Sequence, residues 1–278
     1  MKRIFKSAAI LSLAVILLMS MFGCSGGESK TVYRTLDEIK ESGVINIGVF
    51  SDKSPFGYVD ENGEYQGYDI YLANRLAQDL GVKVNYVSTE AANRVEYLQT
   101  GKVDIILANF TVTEERSEEV DFCLPYMNVS LGVISHDDNV VTSLENWDNS
   151  KSIIVISGTT AEIFLTKNYP DIPLQKFDSY ANAKGEMEKK DSRSIAWAND
   201  NTEVIAFEKQ NEGYTVGIPS LGDPDIIAPA VTKGNVTLKD WIDGEIESLR
   251  EEKFFHKAYE ETLIEIYGKD YEDTLVIE

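Results

Sequence analysis
Cysteine and histidine are almost missing from this sequence, with two of each in 278 residues. Cys24 and Cys123 are too few for a disulfide-stapled scaffold or a Cys-rich metal centre. His136 and His256 are too few for an ordinary zinc site, so no metal or cofactor is expected. Basic charge is scarce too. Twenty-six Lys and Arg face 47 Asp and Glu, for a net charge of −21. A chain that binds phosphates by charge needs a basic face, so nucleic acid is excluded as a partner. What is present is a globular profile, 43% hydrophobic, 10% aromatic and 26% charged. The length is near the point where single cores stop growing, which admits two lobes as readily as one large domain.

The start of the chain reads as an address rather than as part of the fold. Lys2, Arg3 and Lys6 precede an apolar run from Ala8 to Met19 that only Ser12 interrupts. Spanning a bilayer takes about 18 or more apolar residues, and this shorter run has signal-peptide flanks. Met21-Phe22-Gly23-Cys24 resembles a bacterial lipoprotein cleavage site, with Gly23 before the cut and Cys24 as the lipidated first residue. An uncleaved anchor helix or an ordinary signal peptide is the alternative. Ser25 to Thr31, rich in Gly, Ser, Lys and Glu, reads as a flexible tether. Removing residues 1–23 takes away three basic and no acidic side chains, so the net charge moves from −21 to −24.

The rest alternates between strand and helix patterns. Thr35 and Glu38 form a capping box, Gly43 ends that helix, and Val44 to Val49 follows as a strand. Asn62-Gly63 marks a tight hairpin. Ile70, Ala73, Leu76, Ala77 and Leu80 share one helical face, with Gly81 as the stop. Val82 to Tyr86 alternates as a strand, Asn93 to Thr100 is helical, and Val103 to Asn109 reads as a buried strand. This order implies an α/β layer with parallel strands. A second unit of the same kind begins after Asp137, with strands at Lys151 to Ile156, Leu174 to Phe177 and Ser194 to Trp197. Thr237 to Arg250 and Phe254 to Tyr267 are amphipathic packing helices.

Three segments carry recognition chemistry. Asn109 to Arg116 follows a buried strand and enters a helix, and ligands in α/β sheets collect beyond the carboxyl ends of strands. Thr111 offers a hydroxyl and an amide there, and Arg116 offers a planar fork suited to a carboxylate; the plainer reading of Arg116 is a solvated helix charge. Gly158-Thr159-Thr160-Ala161-Glu162 places free amides at a helix start, which suits a carboxylate or is simply a second capping box of Thr159 and Glu162. Asp200 either pairs with an ammonium group or caps the next helix. Together the segments hold what is needed to clamp an α-amino acid between two lobes.

Gly67-Tyr68-Asp69-Ile70, Lys102-Val103-Asp104-Ile105, Thr113-Glu114-Glu115-Arg116 and Ser157-Gly158-Thr159-Thr160, in this order, resemble the polar amino-acid solute-binding proteins of ABC importers over about residues 35–270. Ala91 to Glu96, Asp104 to Thr113, Leu124 to Met127 and Phe254 to Tyr259 are most similar to the cysteine-binding subgroup. The resemblance implies a two-lobed periplasmic-binding-protein-like fold of type II, two α/β lobes joined by two crossing strands near Val133–Asp138 and Ile218–Asp225. The implied division is a leader at 1–23, a tether at 24–34, the first lobe at 35–134, the second at 135–222, and a return to the first at 223–278.

By the same resemblance Arg116 grips an α-carboxylate with Thr111 and the Thr160 amide beside Thr159, while Asp200 holds the α-ammonium with help from Asn109. Phe50, Lys53 and Phe56 lie in the first ligand-facing loop, Lys53 standing where the family often has an aromatic. In relatives that bind aspartate or glutamate, an Asn-Arg pair at the place of Asn93-Arg94 reaches the substrate side chain or its carboxylate, and those with a strong acidic preference often add a second basic residue where this chain has Phe50. Cysteine or a similar small polar amino acid therefore ranks first, and aspartate or glutamate second. Ile195 replaces an Asp usual in the family, from which altered packing of the second lobe is expected, and Cys123 is expected to be a buried small hydrophobe. The implied protein is a monomeric, lipid-anchored binding module on the extracytoplasmic face of the cell membrane. It would deliver an amino acid to the transmembrane subunits of an ABC permease. It is not expected to be an enzyme, although a dehydratase-like activity on the same fold is the competing class.

Overall fold
The computed structural model describes residues 32–189 and 191–277. The leader, most of the tether and Cys24 lie outside the described residues. Helix α1 (Leu36–Ser42) carries the expected capping box of Thr35 and Glu38 and ends at Gly43 in the left-handed conformation. Then come β1 (Val44–Val49), β2 (Asp52–Lys53), β3 (Gly57–Val59), β4 (Tyr65–Gln66), α2 (Tyr68–Leu80), β5 (Lys83–Ser88), α3 (Arg94–Gln99), β6 (Ile105–Ile106), α4 (Glu114–Glu119) and β7 (Val120–Phe122). The long strand β8 (Met127–His136) leads to β9 (Ser152–Ile156), α5 (Thr160–Asn168), β10 (Leu174–Phe177), α6 (Tyr180–Met187), β11 (Ser194–Asp200) and α7 (Asn201–Gln210). The chain returns along β12 (Tyr214–Ile227) to β13 (Ala230–Thr232), α8 (Val236–Glu251), α9 (Phe254–Thr262), α10 (Ile264–Tyr267) and α11 (Glu272–Leu275).

Two five-stranded sheets organise two lobes, in the orders β5-β1-β6-β13-β7 and β10-β9-β11-β8-β12. In each, three consecutive strands are parallel and the last two are reached by antiparallel pairing. The parallel strands are the expected product of β-α-β order, since a parallel return needs a crossover. The central parallel strand of the second sheet is buried on both faces: every residue of β9 is buried. The two-lobed α/β architecture implied by the resemblance is therefore present.

Three local expectations differ from the structure. Residues 103–109 form regular strand only at Ile105–Ile106, because the segment leaves the sheet to build a loop at its carboxyl end. The Asn62-Gly63 hairpin is a five-residue loop between Val59 and Tyr65, in which Asp60 Oδ1 accepts from the amides of Asn62 and Glu64. The outbound crossing precedes Val133–Asp138, and the second lobe begins before residue 135. Val133 and Ile134 already pair with Ala198 and Trp197 in the second sheet, and Met127 at the head of β8 bridges Val276.

The apolar core falls into clusters on either side of each sheet. One packs α2, α8 and α9 on the first sheet through Leu72, Leu76, Leu238, Ile242, Phe255 and Tyr259. Another passes from one lobe to the other, with Phe50, Phe110 and Ile106 from the first and Tyr180, Trp197 and Ile156 from the second. Ile195 falls at a register shift between β11 and β9 and packs against the outer cluster of the second lobe. Cys123 is buried, and burial pushes its thiol well above the ordinary range. No helix among the described residues is long and apolar enough to cross a membrane.

Candidate functional site
The chain ends its parallel strands at one place. Phe50 follows β1, Asn109 to Thr111 follow β6, Gly158 follows β9, and Asp200 ends β11. These are the carboxyl ends where α/β sheets expose loops and helix starts to a ligand, and here both lobes turn them toward each other.

Asn109 is held in the left-handed conformation, φ +45°, which Asn tolerates better than most residues. Its amide donates to Asp69 Oδ2 at 2.9 Å, while Asp69 Oδ1 accepts from the Tyr126 hydroxyl at 2.6 Å. Asp69 is wholly buried in the first turn of α2, and burial pushes its carboxyl up to about 7 against the pull of these donors. Asn109 Oδ1 accepts from Lys53 Nζ, and Lys53 Nζ lies 2.7 Å from Asp200 Oδ2. Lys53 and Asp200 are both buried, so this ion pair joins the lobes in a water-poor setting. Lys53 is flanked by the rings of Tyr180, Phe56 and Phe50, 5.0, 5.5 and 5.6 Å from their centroids. Burial works against its charge, but Asp200 above all, with Glu203 behind it, holds the ammonium above its ordinary range.

Asp200 sits at the N-cap of α7 yet makes no side-chain cap bond. Of the two readings open in the sequence, helix capping is thus ruled out, and the carboxylate faces the cleft cations. Thr159 does cap α5, accepting from the Glu162 amide at 3.3 Å. Glu162 does not return to the Thr159 amide as a full capping box requires; its carboxylate takes the Gly158 amide at 2.6 Å. The amide of Thr160 belongs to the first turn, where no intrahelical acceptor exists.

The two arginines differ. Arg94 spends its guanidinium on backbone, donating to the carbonyls of Ala91, Ala108, Asn109 and Gly158 at 2.9, 3.0, 3.2 and 3.2 Å. Arg116 donates to the Thr111 carbonyl at 2.6 Å and to Gly158 O at 2.9 Å. With five N–H groups each, Arg116 keeps three for a ligand and Arg94 keeps one. Both stack on Phe110, at 4.5 Å for Arg94 and 4.8 Å for Arg116. Burial and then the neighbouring Arg94 lower the Arg116 guanidinium to about 9, still charged at neutral pH. Arg94 thus holds the loop at Asn109 and the Gly158 carbonyl of the other lobe with four donors and keeps one.

Every ligand-binding residue singled out from the sequence is buried in or beside this cleft: Phe50, Lys53, Phe56, Arg94, Asn109, Thr111, Arg116, Thr159, Thr160 and Asp200. Three participants were not singled out. Tyr180 meets Phe50 edge-on across the lobes at 5.2 Å. Asp69 positions Asn109 from below. Ala92 lies against Gly158, whose φ of +78° and missing side chain permit the approach; a Cβ there would fall 2.5 Å from Ala92 Cα. Asp69 lay inside a recognised motif, so its type was visible but not its use. Ala92 likewise lay inside a recognised motif, and nothing local marked Tyr180.

The sequence profile of the bacterial extracellular solute-binding proteins, family 3, matches residues 45–263. The chain is similar to the ABC transporter glutamine-binding protein GlnH of Bacillus subtilis (strain 168), 28% identical over 274 residues, 95% of this chain and 98% of that one. Among solved structures it resembles the solute receptors for L-cysteine of Neisseria gonorrhoeae, with 47% identity and a TM-score of 0.85 over 88% of this chain and 100% of that one. It also resembles the cysteine-binding protein from Campylobacter jejuni, with 50% identity and a TM-score of 0.83 over 87% of this chain and 98% of that one.

Proposed function
The chain belongs to the bacterial extracellular solute-binding proteins, family 3, and on that premise we propose that it is the substrate-binding component of an amino-acid ABC importer, capturing L-cysteine between its lobes. The observation that carries this reading is that the lobes meet through buried charged groups: Arg116 of the first lobe donates to Gly158 O of the second at 2.9 Å, and Asp200 of the second pairs with Lys53 of the first at 2.7 Å. Arg116, with Thr111 and the Thr160 amide at the start of α5, receives the α-carboxylate. Asp200 receives the α-ammonium, with Asn109 beside it. Phe50, Lys53, Phe56 and Tyr180 surround the side chain. The L-cysteine receptors of Neisseria gonorrhoeae and the cysteine-binding protein of Campylobacter jejuni support the choice of ligand through their identity to this chain.

Residues 1–23 act as a lipoprotein leader, Cys24 carries the acyl anchor, and the tether holds the protein at the extracytoplasmic face, where its closed form meets the permease. Two acyl signals are enough for stable anchoring, since each buried methylene contributes about 0.8 kcal/mol. Binding rather than catalysis suits the site: no histidine lies in it, and Asp69, the carboxyl group nearest to a general acid in its protonation range, is sealed beneath the loop. A second reading, aspartate or glutamate, draws on the three buried cations Lys53, Arg94 and Arg116.

The test is a thermal-shift screen of all amino acids followed by calorimetry. Cysteine should raise the melting temperature most, and Arg116→Ala and Asp200→Ala should each weaken its binding by about a hundredfold or more. Wild-type affinity in both variants would refute this site. A larger shift with aspartate or glutamate would move the assignment to the second reading.

A further inference from the structure
The charges between the lobes do not balance. Lys53, Arg94 and Arg116 are buried there, and the carboxylate that meets them directly is Asp200, already paired with Lys53 at 2.7 Å. Asp69 lies beneath them with both oxygens engaged by Asn109 and Tyr126. With its carboxyl pushed up to about 7 by burial, it offers only part of a charge at neutral pH. Glu203, behind Asp200 in the second lobe, has its own cation, Lys184, at 2.9 Å. Asp225, on the returning strand β12, is half-buried, and burial and Asp200 raise its carboxyl. The phenols of Tyr126 and Tyr180 are held neutral, the latter pushed up to about 12 by burial. Among the fully buried groups, three cations face at most the two carboxylates of Asp69 and Asp200, so at least one positive charge is left over.

A zwitterion brings one charge of each sign and leaves that excess unchanged. An excess of charge away from water is unfavourable unless a counter-ion accompanies it. An amino acid whose side chain is itself an anion supplies the counter-ion. Lys53 is placed to receive it. Its ammonium has three N–H donors; one goes to Asn109 Oδ1 and one to Asp200 Oδ2, which leaves a third. The faces of Phe50, Phe56 and Tyr180 around it keep water away and strengthen any ion pair formed there.

Resting on the reading of this cleft as an amino-acid site, we propose that it selects amino acids carrying a net negative charge, and that cysteine is held as its thiolate with Lys53 as the side-chain partner. Free cysteine, with a thiol pKa of about 8.5, is mostly protonated at neutral pH, so each binding event releases the thiol proton to solvent and leaves the electron pair on sulfur. Serine, equal in shape but unable to ionise, is the discriminating comparison. This joins the two ligand assignments in one rule, since cysteine and aspartate share an ionisable side chain that serine and asparagine lack.

The experiment uses the intact protein at pH 7, with cysteine and serine as probes. The ultraviolet difference spectrum of the complex against ligand-free protein plus free cysteine reports thiolate, and the protein's own thiols cancel. Calorimetry in buffers of different ionisation enthalpy counts the protons released. The expected result is a thiolate band on binding, close to one more proton released with cysteine than with serine, and at least about a tenfold preference for cysteine. Lys53→Met should bind cysteine at least about tenfold more weakly, and at saturating cysteine it should lose the band and most of the preference over serine. Bound cysteine without a thiolate band, or a band undiminished in K53M, would overturn the proposal. Failure of every amino acid to bind would instead overturn the reading on which it rests.

Discussion
Asp69 is a carboxyl group held in the protein interior by two donors, the Asn109 amide and the Tyr126 hydroxyl. Two hydrogen bonds do not replace the water it loses, and its pKa rises from 3.8 to about 7. Because the folded value lies above the unfolded one, the stability it contributes is complete below the unfolded pKa and is lost as pH rises through about 7. Asp69→Asn does not titrate. Urea unfolding should therefore show the variant gaining on the wild type by about 2 kcal/mol between pH 5 and pH 8. A stability difference that does not change with pH would show that Asp69 is already ionised across that window. The same residue fixes Asn109, so its burial is what lets the site's loop hold a left-handed residue.

At the scale of one element, the start of α5 depends on Gly158. Its carbonyl accepts from Arg94 and Arg116 of the opposite lobe, at 3.2 and 2.9 Å, and its amide is held by Glu162. A side chain at Gly158 would meet the backbone of Ala92, 2.5 Å from Cα and 2.8 Å from the amide nitrogen. It would also adopt φ +78°, which an L side chain disfavours by about 1 kcal/mol or more. Gly158→Ala should hold the lobes apart. Small-angle scattering should show the variant with saturating ligand more expanded than wild type, and calorimetry should show affinity reduced by about tenfold or more. Equal compaction would mean that the lobes close without this approach.

For the whole molecule the governing quantity is charge of opposite sense inside and outside. The net charge is −21 for the chain, and −24 once residues 1–23 are removed, yet the cleft holds three buried cations. The outer field repels an anionic ligand at long range and the cleft attracts it only once it is close. Screening acts on exposed charges beyond about 8 Å at physiological salt and far less on buried ones. The association rate of aspartate should therefore rise with ionic strength, while that of serine stays nearly constant; stopped-flow fluorescence checks both. A rate for aspartate that falls with salt would show the cleft cations dominating the approach.

The α/β class, the order of the elements and the chemical types at the site were all readable from the sequence, because they are local. Periodicity of apolar residues, Gly43 and Gly81 as helix stops, and Thr, Asp and Arg after buried strands all act within a few positions. Arg116, Thr111 and Asp200 were recognisable as candidates for that reason. Their use depends on groups distant in the chain. Whether Asp200 caps α7 or faces the cleft is decided by Lys53, 147 positions earlier. Arg94 had the composition of a ligand contact, but four backbone carbonyls, one of them from the other lobe, claim most of its donors. Tyr180 joins the site only because closure sets it against Phe50. The sequence determined which charges are present. Folding decided which of them lose their water, which pair with one another, and so which remain for a ligand, because burial and pairing are properties of neighbours that only the tertiary structure brings together.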